Sequence, residues 1–343
     1  MPLHPLYGHE SARHRLSVAV AGGRLPQALL IEGPVGVGKQ RLALWLAQLL
    51  LCDTTRACGE CPGCRRVLAL GHPDLLWLIP LEFARKGADA DKQVELVEQA
   101  LGEEMALRRE APLYQPPPGS ANHGIAAARL AARFLAKRPA LARRKIAIVG
   151  DAERLIPQRA NPEAANALLK ALEEPPPDTT IVLTTSEPGA LLPTLMSRLV
   201  RMRLTRLPDS VVTEFAQRVL KKPHPEVAQR VAAADGSIGK LLALDGRRTS
   251  GDGAVERFLS ASRGSAVDRL TQALAQPPFQ ARGAFTALLD GLLEHLRERA
   301  RSGADTAEVV AAISRVLEAR DAAQGNVNPQ LLAAVLAEDL WSA

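Results

Sequence analysis

Apolar residues along this chain follow two rhythms. Short, nearly unbroken apolar runs stand at 28–31, 75–79, 145–149, 180–185 and 200–204. Runs of this length, bounded by turn residues, predict strands buried on both faces. Between them apolar positions return every three or four residues. Leu16, Val18 and Val20 mark a helix over 8–21 that Gly22-Gly23 closes; Leu42, Leu46 and Leu49 mark another over 39–51, and 125–137 reads as a third. Asn161-Pro162-Glu163 supplies an N-cap, a proline at the first helical position and an acid in the first turn of a helix that Pro175-Pro176-Pro177 stops. Strands alternating with helices predict an α/β domain, a parallel sheet with helices on both faces.

The alternation lapses twice. Residues 80–124 read as a surface insertion, charged and partly helical in period over 82–99 and loop-like at Tyr114-Gln115-Pro116-Pro117-Pro118-Gly119-Ser120. That proline tract suits a spacer or a partner's polyproline groove. From Arg206 onward the pattern is helical throughout, with Pro208-Asp209 and His224-Pro225-Glu226 as helix starts and a Gly/Ser-rich boundary at Thr249-Ser250-Gly251-Asp252-Gly253. Beyond it Phe285, Leu288, Leu292 and Leu296, and Leu331, Leu332, Val335 and Leu336, recur at helical spacing. Such stripes serve a core or a partner surface.

Chemistry enters directly after the first strand. Gly33-Pro34-Val35-Gly36-Val37-Gly38-Lys39-Gln40 joins strand to helix. A glycine-rich turn there lets backbone N–H groups converge on a phosphate, with the lysine reaching the outer phosphates. Gly33, Gly36, Gly38 and Lys39 meet that need. Gln40 stands where a Ser or Thr hydroxyl would ligate Mg²⁺, so productive Mg-ATP binding is in doubt. The strand at 145–149 should end in an Asp that holds the metal and a Glu that orients water. Asp151 alone follows it, between Gly150 and Ala152, and either register removes a part.

All four cysteines lie in one short stretch. Cys58-x2-Cys61-x2-Cys64, with turns at Gly59 and Pro62-Gly63, converges three thiolates, and Cys52 at the end of the preceding helix completes a tetrahedron. This predicts a closed structural zinc site; two disulfides are the rival, disfavoured because no apolar signal segment opens the sequence. His72 suits a turn or packing role, since the thiolates already fill the coordination shell.

The net charge of +6, 43 basic against 37 acidic residues, allows an acidic partner without requiring one. The segment Lys137-Arg138 with Arg143-Arg144-Lys145 fits DNA contact or a solvated loop equally. No run of about eighteen apolar residues predicts a membrane span, and a cytoplasmic location is expected. Clustered carboxylates of a polymerase or nuclease are absent, and 3% aromatic residues give little for stacking on bases.

The run Asn166-Ala167-Leu168-Leu169-Lys170-Ala171-Leu172-Glu173-Glu174-Pro175-Pro176, the cysteine knuckle after the phosphate-loop helix, and Met196-Ser197-Arg198 together resemble bacterial clamp-loader subunits. These are AAA+ proteins that load the sliding clamp onto primed DNA within the DNA polymerase III holoenzyme. The resemblance spans Tyr7 to about Leu244 apart from the insertion. It implies an AAA+ P-loop parallel-sheet domain (1–205, zinc module 52–64, insertion about 80–124), a small helical lid domain (206–247) and an all-α C-terminal collar domain (248–343). Within the family the damaged nucleotide site is similar to the non-hydrolysing delta-prime type; the intact glycines and Lys39 keep the gamma/tau motor type as the alternative. Arg198 matches the arginine finger that reaches a neighbour's ATP, with Leu199 in place of the family's Cys. Gly239 stands at the sensor-two arginine position, and Asn326-Val327-Asn328-Pro329-Gln330 resembles the start of the last collar helix. The implied partners are the gamma/tau and delta subunits and, through the assembly, the sliding clamp and primer-template DNA.

Overall fold

A computed structural model describes residues 3–81, 89–110, 121–155, 163–221, 224–250, 252–276, 284–301, 306–323 and 327–340. The expected loop at 114–120 and the helix start at Asn161-Pro162 lie outside them. The chain divides into two compact units, the second beginning at Gly246.

The first unit is organised by five parallel strands: β1 (Ala28–Glu32), β2 (Leu75–Leu78), β3 (Lys145–Val149), β4 (Thr179–Thr185) and β5 (Val200–Arg203), in the spatial order β2-β3-β4-β1-β5. In register, Leu30 lies between Leu183 and Arg201. Every residue of β1, β3 and β4 is buried, as a parallel sheet covered on both faces requires. The helices are α1 (Glu10–Ala21), α2 (Lys39–Leu50), α3 (Pro62–Leu68), α4 (Ala90–Glu110), α5 (Ile125–Ala136), α6 (Glu163–Glu173) and the short α7 (Pro193–Met196). Edge strand β5 is largely exposed, and its Arg201 makes a bidentate pair with buried Glu32, Nη2 lying 3.0 and 2.8 Å from the two carboxylate oxygens. Charge on an exposed edge discourages further strand pairing.

The lid region follows as α8 (Asp209–Arg218), α9 (His224–Ala234) and α10 (Ile238–Ser250). It has its own small core around Leu207, Val212, Phe215, Val231 and Leu241. Tyr7 packs edge-on against Phe215, ring centroids 5.3 Å apart.

Two expectations change and one gains detail. The insertion holds a 21-residue helix, α4, whose buried Val94, Val97 and Leu101 are diluted among charged neighbours. The Gly/Ser-rich boundary is flanked closely by helix: α10 runs through Ser250 and the next helix starts at Asp252. Lys145 is no surface cation for DNA, because it is buried and its Nζ donates to the carbonyls of Phe134, at 2.7 Å, and Lys137.

The second unit contains α11 (Asp252–Arg263), α12 (Ala266–Leu274), α13 (Ala284–Arg301), α14 (Thr306–Ala323) and α15 (Pro329–Asp339) around Phe258, Phe285, Leu289, Leu292, Leu296, Val316 and Leu336. Ser265 and Asp268 form a reciprocal capping box at the start of α12. Asn328 caps α15 ahead of Pro329, accepting from Gln330 N at 2.8 Å. The second apolar stripe splits: Leu336 is buried, whereas Leu331 and Val335 are exposed.

Candidate nucleotide site and metal centre

The carboxyl ends of β1, β3 and β4 meet where a doubly wound sheet places its ligands. Gly33, Gly36 and Gly38 form the turn after β1, and Lys39 opens α2. Gly36 has φ 75°, in the region that favours glycine, and an added Cβ would stand 2.4 Å from Ser237 Oγ and 2.8 Å from Gly239 Cα. Lys39 is buried, and all three donors of its ammonium are committed, to Gly33 O at 3.0 Å, Pro34 O at 2.9 Å and Ser186 Oγ at 2.8 Å. Burial lowers its pKa, opposed by the negative potential of Glu153 and Asp151.

Glu153 is the acid that the sequence reading misses. It lies in a 3-10 turn, Ala152–Leu155, where burial raises its pKa and Ser186 N donates to Oε1 at 3.2 Å. Beside it, buried His123 donates from Nε2 to Gly150 O at 2.6 Å, and its Nδ1 has no hydrogen-bond partner. Burial brings its pKa down to about 4, so the ring is neutral at ordinary pH.

The residues that the resemblance sets around a divalent ion face each other instead. Gln40 Oε1 accepts from Trp77 Nε1 at 3.0 Å. The same oxygen lies 2.5 Å from where a Cβ on Gly150 would stand. The contact sets Gly150 opposite Gln40, the residue after the lysine. Mg²⁺ demands several oxygens in near-ideal octahedral geometry. An amide oxygen engaged by an indole and a glycine without a side chain do not fit it.

The lid region closes directly on the loop. Ser237 Oγ donates to Val35 O and Gly239 N to Gly36 O, each at 2.9 Å. An arginine at 239 has no room here, since its Cβ would fall 2.6 Å from Gly36 Cα. Arg198, just beyond α7, is partly exposed; it donates from Nη1 to Thr194 O at 2.7 Å and pairs through Nη2 with Glu173 Oε1 at 2.6 Å. Leu199, at the family's Cys position, is buried.

The four cysteines are brought together. Cys52–Cys58, Cys61–Cys52 and Cys58–Cys64 Sγ separations are 3.7, 3.8 and 3.9 Å, and all four sulfurs lie within 4.8 Å of one another. Tetrahedral ligation at about 2.3 Å gives an edge of about 3.8 Å, so the set fits one four-coordinate ion. Burial opposes ionisation of Cys52, yet hydrogen bonds from the Thr54 hydroxyl and the backbone of residues 58, 56 and 54 bring its pKa down to about 5. Burial holds the Cys64 thiol above its ordinary value. His72 stands apart from the metal shell and takes the turn role, its Nδ1 accepting from Asp74 N at 3.1 Å.

A phosphate loop on a β2-β3-β4-β1-β5 sheet, closed by a small helical region and carrying a four-cysteine knuckle, defines an AAA+-type chain. Residues 8–208 match the family described as DNA polymerase III, delta subunit, and the chain belongs to it. It is 30% identical to the DNA polymerase III subunit delta' of Pseudomonas aeruginosa over 241 residues, covering 69% of this chain and 60% of that protein. It is 27% identical to the subunit tau of Escherichia coli K12 over 286 residues, covering 80% and 38%. The match therefore spans less than two thirds of these relatives. A DNA polymerase III gamma subunit-related protein of Thermotoga maritima is a solved structural neighbour, with a TM-score of 0.42, 19% identity and coverage of 95% and 99%. The curated relatives it resembles thus include DNA polymerase III subunits named delta', tau and gamma/tau. No helix among the described residues is long and apolar enough to cross a membrane.

Proposed function

We propose that this chain is the non-motor, delta-prime-type subunit of a clamp loader. It would brace the ring and lend Arg198 to the ATP bound by a neighbouring gamma/tau subunit. The observation that carries this reading is the contact of Gln40 with Gly150, which leaves Mg-ATP without its metal ligands while the phosphate loop around Lys39 stays formed. Gly239 against Gly36 removes a third nucleotide-sensing part. Arg198 keeps its guanidinium at the surface, and a fixed planar cation there suits a transferring phosphoryl group. The cysteine set would hold Zn²⁺ in a purely structural role, since four thiolates leave no open position.

In the second unit, Val267, Leu270 and Leu274 of α12 and Leu331 and Val335 of α15 are exposed, and Gln330 joins the two helices by donating to Leu274 O and Gln276 O at 3.2 and 2.9 Å. This shared apolar face would be the collar surface for the neighbouring gamma/tau and delta subunits. Sliding clamp and primer-template DNA would be met through the assembly. The intact loop glycines and Lys39 favour one alternative, an active gamma/tau-type motor.

ATP turnover tests the choice, measured for the chain alone and then with gamma/tau and delta subunits, clamp and primed DNA. No turnover alone, with assembled turnover that drops on Arg198→Ala by the share of the one site it faces, supports the proposal; a finger contributes on the order of 10³-fold or more at its site. DNA-stimulated turnover by the isolated chain, abolished by Lys39→Ala, makes it a motor instead.

A further inference from the structure

The insertion has no part in the reading above, yet its helix α4 and its return path both converge on the candidate nucleotide site. Arg108, in the last turn of α4, is buried; its Nε lies 2.8 Å from Glu104 Oε1 and its guanidinium carbon stands 4.7 Å from the centroid of the Trp77 ring. Trp77 on β2 is itself buried and donates to Gln40 Oε1. On the return path, Asn122 pairs with Leu81 in an isolated antiparallel bridge, and the next residue, His123, donates to Gly150 O. Arg108–Trp77–Gln40 and His123–Gly150 are thus two arms that meet where the Gln40 amide lies over Gly150.

We propose that Arg108, Trp77 and Gln40 form a plug seated on Gly150 in the Mg²⁺ position, and that α4 of the insertion serves to lock it. A glutamine free to rotate would offer its oxygen to a cation. Here the indole fixes that oxygen, the guanidinium lies over the indole ring, and Glu104 fixes the guanidinium. The stacked cation also adds positive potential behind the place a divalent ion would enter. Gly150 is part of the device, because any side chain there meets the amide. The inference stands on the first unit alone, so it survives or fails apart from the ring assignment.

The full chain carries the test, read by thermal unfolding and by binding of a fluorescent ADP analogue with Mg²⁺ or with EDTA. Gly150→Asp lowers Tm with Gln40 in place, and Gln40→Thr in the same chain restores it. Wild-type binding with Mg²⁺ stays within about twofold of binding with EDTA, whereas the Gln40→Thr/Gly150→Asp chain gains about tenfold or more. Arg108→Ala lowers Tm less in the Gly150→Ala background than in wild type, because releasing the indole lets the amide move aside. A double variant that folds no better than Gly150→Asp, a wild type whose binding tightens about tenfold with Mg²⁺, or strict additivity of Arg108→Ala with Gly150→Ala each overturns the plug.

Discussion

The backbone N–H of Gly239 donates to the carbonyl of Gly36 at 2.9 Å, so the start of α10 rests on the turn of the phosphate loop. Gly239 is where the motor subunits of the family would carry an arginine that senses nucleotide. Restoring that arginine is not expected to restore nucleotide sensing in this chain. Its Cβ would fall 2.6 Å from Gly36 Cα, backbone that has no freedom to yield. Gly239→Arg is expected to lose this contact and the Ser237–Val35 hydrogen bond, costing about 2–3 kcal/mol. A drop in unfolding midpoint without new ATP turnover is the predicted result; turnover gained without destabilisation contradicts it.

The metal centre makes a prediction at a residue that is not a ligand. Gly63 sits against the end of α2, where an added Cβ would fall 2.1 Å from Leu51 O. That approach brings Cys61 and Cys64, at the start of α3, against Cys52. If the cysteine set holds zinc as proposed, Gly63→Ala is expected to behave like Cys64→Ser: less zinc by elemental analysis than wild type and a lower Tm that added Zn²⁺ does not recover. Chelation of the wild type should lower Tm to a similar level, reversibly, since site formation and folding are linked.

His123 sets a pH limit. Its folded pKa is brought down to about 4 from an ordinary 6.5, so below pH 6.5 the unfolded chain takes up a proton that the folded chain refuses. Stability from this group is complete above pH 6.5 and is lost as pH falls toward 4, by roughly 3 kcal/mol over the window. Asp151 opposes the shift and Arg154 adds to it, both less than burial does. His123→Gln keeps a donor for Gly150 O but cannot titrate. Denaturant midpoints of that variant should fall less between pH 6.5 and 4 than those of wild type; parallel curves would place the acid sensitivity elsewhere.

Asp74 predicts a local effect where the sequence suggested DNA. Its carboxylate accepts the backbone N–H groups of Ala140, Leu141 and Ala142 at 2.5, 2.8 and 2.7 Å. Burial works against the charge, but those bonds hold its pKa below the usual range. Asp74→Ala leaves three donors unpaired and should cost about 3 kcal/mol or more. Asp74→Asn recovers part of that by accepting through one oxygen. Stability measured against pH should show the Asp74 share retained above the ordinary carboxylate pKa and lost as pH falls through the lower folded value.

The sheet is legible in the sequence because five buried runs each sit between turn residues, and the knuckle because cysteine spacing states its own geometry. The turn after β1 is legible for the same reason: Gly36 takes the positive φ that its place in the turn asks for, and Lys39 opens α2. The filling of the metal position is half legible. Gln40 announces that a hydroxyl is missing, but that its amide needs a glycine at 150 and an indole at 77 depends on three elements far apart in the chain. Glu153 escapes notice because a 3-10 turn, which no apolar period marks, carries it back into the site. Lys145 misleads because a lysine among arginines looks solvated, and only the fold shows that two carbonyls take its charge inward.

Arg198 and Glu173 give the last prediction. Their 2.6 Å ion pair joins the end of α6 to the segment after α7, with Glu173 nearly half exposed. An exposed pair contributes little to stability, so Glu173→Gln should leave the unfolding free energy within about 0.5 kcal/mol of wild type. Any functional effect is expected only in the proposed assembly. If the arginine serves a neighbour's ATP, the pair holds the guanidinium in place before assembly and competes with the phosphate afterwards. Glu173→Gln then changes assembled turnover while the isolated chain is unaltered, and Arg198→Lys fails to rescue Arg198→Ala, because an ammonium lacks the planar fork. Full turnover with Arg198→Lys, or identical turnover in wild-type and Arg198→Ala assemblies, would leave the pair a surface contact and remove the finger from this subunit.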